Sequence, residues 1–205
     1  MNKFLSGLLT LVAATCLLAG CKEDSRNPNP AFESVALIRP QVTNDTARNY
    51  FDFRRARASD AQLAAFPTAL RNRPVFEFTF DVNQRDTKIQ TVEVWRSFRR
   101  GTALGPRVKL GDYSSFPATV SVNSVTALAG LSRASSTSTT GFTPVVPTTF
   151  PANANNLLIR NDAILFSFEY ILTDGRRVVI TPTNDQGVIS GPLSIEPFVV
   201  IGVIR

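Results

Sequence analysis

Phe76-Glu77-Phe78-Thr79-Phe80-Asp81-Val82 alternates strictly: every even position is apolar and every odd one polar. A period of two sends successive side chains to opposite faces of an extended chain. The stretch therefore predicts a half-buried antiparallel strand with its four apolar residues on one side. Ile164-Leu165-Phe166-Ser167-Phe168-Glu169-Tyr170 repeats the theme, with Ile164, Phe166, Phe168 and Tyr170 sharing a face. Thr173-Asp174-Gly175 then supplies a turn, Gly175 suiting a positive φ, and Arg177-Val178-Val179-Ile180 returns, so the pair reads as a hairpin.

Outward from these two anchors, further strands are predicted over Val35 to Ile38, Gln90 to Phe98, Arg107 to Leu110, Ala118 to Val122 and Pro197 to Ile204. Short strands separated by turn signals predict a mostly β chain, an antiparallel two-sheet sandwich of the immunoglobulin-like kind with one or two short helices. Ser59-Asp60-Ala61-Gln62 fits a capping box for the first helix, which Pro67 stops. Ser124 is the candidate cap of a second, through Ala127 and Leu128 to Gly130. Residues 132–140 are Ser/Thr-rich, with little to bury, and read as a mobile loop.

The N-terminus has a separate logic. Asn2 and Lys3 precede an apolar run from Phe4 to Leu18, and Ala19-Gly20 lead into Cys21. This is the layout of a secretory signal peptide over residues 1–20, too short for a stable membrane span. Leu18-Ala19-Gly20-Cys21 resembles the bacterial lipobox, which implies cleavage before Cys21 and acylation of its thiol. Several acyl chains anchor stably, at ~0.8 kcal/mol per buried CH₂. Cys16 leaves with the leader, so the mature chain holds no internal disulfide and must rely on its core. Loss of Lys3 lowers the formal charge from +6 to +5.

Lys22-Glu23-Asp24 resembles the export signal that sends Bacteroidota lipoproteins to the outer leaflet of the outer membrane; the alternative is a plain charged tether. Either way residues 21–32, with Pro28 and Pro30, form a spacer, and Lys22 to Pro30 would span roughly 25–30 Å at ~3.1 Å per residue. The remaining 33–205 are expected to form one domain.

Little in the chain points to catalysis. It has no histidine, which removes the usual general base, the usual metal ligand and the serine triad. With the one mature thiol acylated, cysteine nucleophiles and thiolate zinc sites go too. Two-carboxylate glycosidase chemistry needs only Asp and Glu, but the acids are scattered singly and several fall on expected solvent faces. No Gly-rich phosphate loop occurs. The run Asp81 to Asp86 is faintly calcium-like but lacks the mid-loop glycine, and reads as a turn. The expectation is a non-enzyme with no cofactor and no metal.

Candidate binding residues are basic and aromatic. The 22 basic residues are eighteen Arg and four Lys, with clusters at Arg54, Arg55 and Arg57 and at Arg96, Arg99 and Arg100. Guanidinium forks suit carboxylate, sulfate or phosphate, so acidic glycans or lipopolysaccharide phosphates are conceivable ligands; a solvated basic surface is the bland alternative. Nucleic acid is disfavoured for an exported chain with no recognition motif. Trp95 falls out of phase with Val92 and Val94, beside Glu93 and Ser97; it is either an exposed stacking platform or, through a bulge, part of the core. Trp95, Arg96 and Tyr113 are the candidate ligand-binding residues, with Tyr50 behind them. Asp45-Thr46-Ala47 resembles the Bacteroidota O-glycosylation triplet, which would place a glycan on Thr46.

The export signal, Val92-Glu93-Val94-Trp95-Arg96-Ser97-Phe98, Ser114 to Val120, Ala127 to Leu131 and the Thr173-Asp174-Gly175 turn together resemble small surface lipoproteins of Bacteroidota. Some of these accompany SusC/SusD-type uptake systems. The resemblance implies an accessory binding module at the cell surface, and the leading function reading is a non-catalytic module for glycan or other nutrients beside an outer-membrane transporter. A structural or adhesion subunit with no small ligand is the alternative.

Overall fold

The computed structural model describes residues 38–82, 88–134, 141–145, 158–190 and 198–205. The leader, Cys21, Lys22, Glu23, Asp24 and the tether lie outside these residues, as do Asn83 to Asp86 of the calcium-like turn and Val35 to Leu37 of the first expected strand. Residues Ser34–Arg205 cluster as one unit.

That unit is mostly β, and all its sheets are antiparallel. In chain order the strands are β1 (Gln41–Val42), β2 (Val75–Phe80), β3 (Ile89–Arg100), β4 (Ala103–Leu104), β5 (Val108–Tyr113), β6 (Ala118–Asn123), β7 (Ser132–Ala134), β8 (Phe142–Pro144), β9 (Ala163–Leu172), β10 (Arg177–Val179) and β11 (Val199–Val203). One sheet has the order β1-β2-β6 and is curled into a half-barrel. The larger is built on the β3–β9 pair, with β4 and β5 along β3 and with β10 and β11 along β9. β7 and β8 form a separate ribbon.

The alternation in β2 does what its period dictates. Phe76, Phe78 and Phe80 are buried, whereas Glu77 and Thr79 face outward. Their rings meet the even-numbered side chains of β9: Phe76 stacks on Phe166 at 5.7 Å and 7°, and Phe78 meets Phe168 edge-on at 6.1 Å. Phe80 packs on Phe168 and, edge-on, on Tyr113. Each buried Phe contributes ~1.5–3 kcal/mol of apolar transfer, and each aromatic pair ~0.5–1.5 kcal/mol more.

β9 departs from its sequence pattern. Its odd face was expected to meet solvent, yet Leu165, Ser167 and Glu169 are buried as fully as the even face. The reason is a second apolar cluster on that side, where Ile189 covers Leu165 and Val199 with Leu104 and Ile201 packed around them.

Among the described residues there are three short α-helices, where one or two were expected, and a 3-10 turn at Thr68–Leu70. α1 (Phe53–Arg57) is capped by Asp52, whose carboxylate accepts from Arg55 N–H at 2.8 Å. It was missed because five residues, three of them Arg, give no periodic signal. α2 (Asp60–Ala64) has the expected capping box, Ser59 and Gln62 bonding reciprocally. α3 (Ser124–Leu128) is capped by Asn123, one residue before the expected Ser124, which is buried as the first helical residue. Gly130, at φ +71°, ends it.

The expected 132–140 loop needs correction at its start: Ser132–Ala134 is β7, and 135–140 lie outside the described residues. β7 passes so close to Gly105 that any Cβ there would overlap the Ser132 carbonyl oxygen.

Candidate functional site

Strict alternation put Trp95 on the outer face of its strand, and the β3–β9 register keeps it there: Val94 faces Phe168, Trp95 faces Ser167 and Arg96 faces Phe166. A bulge does occur between Val94 and Trp95, but only in the pairing with β5, so it does not turn the indole into the core. Trp95 is half-buried, because the Arg107 guanidinium lies 4.5 Å from its ring centroid. Its Nε1, with the hydroxyls of Ser97, Ser167 and Thr181, has no hydrogen-bond partner among the described residues.

Beside Trp95 sits a charge cluster that sequence reasoning missed. The acids are not scattered singly here: Glu93 and Glu169 are direct cross-strand partners, both buried. Arg177 bonds both carboxylates, reaching Glu93 Oε2 at 2.5 Å. Lys109 Nζ donates to Glu93 Oε1 at 2.8 Å, and Arg107 pairs with Glu169. The Arg177 hydrogen bond, with help from Lys109 and against the effect of burial, lowers the Glu93 pKa from 4.5 to about 2. Such a carboxylate is a poor general base and no acid at neutral pH, so Glu93 is suited to holding strands rather than to proton transfer.

The other two sequence candidates are occupied by packing. Arg96 is 6% exposed and donates to the carbonyls of Thr126 (2.5 Å) and Ala127 (2.7 Å), tying α3 to the sheet. Tyr113 is half-buried against Phe80, and burial raises its pKa. The structure does not gather Trp95, Arg96 and Tyr113 around one opening. Thr46 is exposed in a turn whose Asp45 carboxylate accepts from Ala47 N–H at 2.9 Å.

The open cleft lies elsewhere. A cavity of about 710 Å³ is lined by Tyr50, Asp52, Arg54, Arg55, Phe66, Pro67, Leu70, Arg160 and Arg205. The main chain assembles it from remote segments. Phe51 bridges to Ile204, Arg205 N–H donates to Phe51 O, and Phe53 N–H donates to Arg205 O. These bonds set Arg205 over the Tyr50 ring and place α1 alongside. Asn161 N–H donates to Ile204 O, with Asn161 itself at φ 70°, and brings Arg160 to the same rim, over Phe53 at 5.2 Å. Arg73 braces the junction of α1 and α2, donating to the Ala58 carbonyl and pairing with Asp60.

Among the described residues Asp52 is the one acidic side chain lining the cleft, and its carboxylate is engaged by the α1 N-terminus and by Arg55. Among the described residues no carboxylate lies within ion-pair distance of Arg54, Arg160 or Arg205. Arg48, Arg73, Arg100, Arg107, Arg176 and Arg177, by contrast, are all paired. The Arg54-Arg55-Arg57 cluster was visible in sequence; Arg160 and Arg205 carried no signal, since only the tertiary pairing of the chain end delivers them.

No protein-family model, curated protein or solved structure matches the chain. Among the described residues no helix is long and apolar enough to cross a membrane, and no grouping of three or more His, Cys, Asp or Glu is placed to hold a metal ion.

Proposed function

We propose that the chain is a lipid-anchored, non-catalytic binding module on the outer surface of a bacterial outer membrane, acylated on Cys21 and exported by Lys22-Glu23-Asp24. The single observation that carries the binding reading is the open cleft of about 710 Å³ with aromatic and arginine walls, a size that suits a small organic ligand. The low pKa of Glu93, held by Arg177 and Lys109, speaks against a proton-transfer role for that carboxylate. The resemblance to Bacteroidota surface lipoproteins supports a place beside a SusC/SusD-type transporter, with glycan or another nutrient as cargo.

The finer fold in this proposal is an immunoglobulin-like sandwich, for which the ring contacts between β2 and β9 speak. Exposure of Thr46 likewise supports its O-glycosylation, which mass spectrometry of the native peptide tests. For the binding reading, the full chain in neutral detergent is heated with panels of glycans and peptides. A bound ligand raises the melting temperature with concentration. A panel that leaves it unmoved throughout favours the structural or adhesion reading instead.

A further inference from the structure

We infer that the arginine-lined cleft is the binding site for an acidic oligosaccharide, at least two sugar units long and carrying carboxylate, sulfate or phosphate groups. The inference rests on the binding-module reading above and names its ligand class.

Charge sets the sign of the ligand. Arg54, Arg55, Arg160 and Arg205 converge on one opening in which, among the described residues, Asp52 is the one acidic side chain, and that acid is already bonded to Arg55. Arg54, Arg160 and Arg205 have no carboxylate partner among the described residues, so an incoming anion can take that place. Planar guanidinium forks match carboxylate, sulfate and phosphate oxygens in pairs, giving strong charge-assisted hydrogen bonds.

Shape sets its size. The cleft is far larger than a lone inorganic anion needs, and Tyr50, Phe66, Pro67 and Leu70 give it apolar surface on which the C–H face of a sugar ring can lie. A second cavity of about 470 Å³ adjoins it, with Arg54 and Phe66 in both linings and with Phe53, Arg57 and Gln62 added. Arg54 and Phe66 thus form a divide between two neighbouring hollows, each with its own cations. A chain of charged sugars fills both by crossing Phe66, whereas a single charged group fills neither.

The test is calorimetric titration of the full chain in neutral detergent with trigalacturonate, monogalacturonate, maltotriose and lipid A vesicles. The expected result is binding of trigalacturonate more tightly than the monomer, none of maltotriose, and weakening with salt. Arg54 and Arg160 are exposed, so R54A/R160A keeps the fold; it weakens trigalacturonate by at least about tenfold, as loss of charge-assisted bonds implies. The charge-matched control R39Q/K88Q, at two exposed sites elsewhere, stays within about twofold. Phe66→Ala narrows the gap between trimer and monomer.

Equal loss in R54A/R160A and R39Q/K88Q overturns the site, leaving only diffuse charge attraction. Maltotriose bound as tightly as trigalacturonate overturns the ligand class while the binding-module reading stands. Binding confined to lipid A vesicles overturns the oligosaccharide in favour of membrane phosphate. No binding to any of these overturns the inference, and the broader panels above then decide the module reading separately.

Discussion

Glu93 and Glu169 stand directly opposite each other across β3 and β9, only 4% and 1% exposed, and Arg177 bonds to both. Two like charges in that position repel, and each carries a desolvation cost; the arrangement holds only because three cations bracket it. Arg177 comes from β10, Arg107 precedes β5 and Lys109 lies in it, so the cluster joins four neighbouring strands of one sheet.

Removing the shared partner should therefore cost more than removing one acid. Arg177→Ala leaves both carboxylates with less compensation and destabilises by about 2–4 kcal/mol, the half-exposed guanidinium being partly replaceable by water. Adding Glu169→Gln should recover part of the loss. A double-mutant cycle in urea checks this; additive effects would contradict the shared clamp.

Acid should weaken the same clamp. Arg177 and Lys109 hold the folded-state pKa of Glu93 at about 2, below its ordinary 4.5. The lowered value means the unfolded chain takes up the proton first. Its stabilisation is present above pH 4.5 and is lost as pH falls towards 2. Urea midpoints over that range should fall less steeply for Glu93→Gln than for the parent.

At the alkaline end, burial raises the Tyr170 pKa from 10 to about 12, opposed in part by the Ile38 N–H that its hydroxyl oxygen accepts at 2.9 Å. The neutral phenol is the folded form, so its contribution is present below pH 10 and lost as pH rises through 12. Tyr170→Phe should flatten that limb and cost about 1 kcal/mol at neutral pH. An unchanged alkaline unfolding curve would count against it.

Trp95→Ala should cost about 1–2 kcal/mol, since the half-buried ring lies on the outer face of its strand, under Arg107, and outside the main core. Phe166→Ala, at a fully buried ring, should cost ~3–5 kcal/mol. Equal drops in melting temperature would return Trp95 to the core.

Cys21→Ser should abolish incorporation of labelled fatty acid and release the chain from membranes or leave it unprocessed. Alanine at Lys22, Glu23 and Asp24 should shield the domain from protease added to intact cells. Label that persists in the first variant, or equal digestion in the second, would remove the corresponding element of the proposal.

Much of the sheet scaffold was legible because period two survives wherever one face of a strand meets the core: β2, the inner face of β9 and the Gly175 turn are of that kind. Ser59 and Gln62 announced α2 because a capping box is local chemistry. The outer face of β9 was not legible, since Ile189 buries it from a distant segment that no spacing in β9 records. The Glu93–Arg177 contact bridges 84 positions and leaves no mark in the sequence around either residue. Of the cleft, only the three clustered arginines could be read. Asp52, as a helix cap, and Arg160 and Arg205, as strand-end neighbours, took their places from main-chain pairing.

The pairing of Phe51 with Ile204 and Arg205 also sets an order of events. Synthesis releases the chain from its N-terminus, so Tyr50 to Arg55 emerge while Arg160 and Arg205 are still to come. The cleft's cationic rim cannot close until β11 has seated against β9 and Phe51 has bridged to Ile204. Until that pairing forms, an anion meets only the α1 arginines.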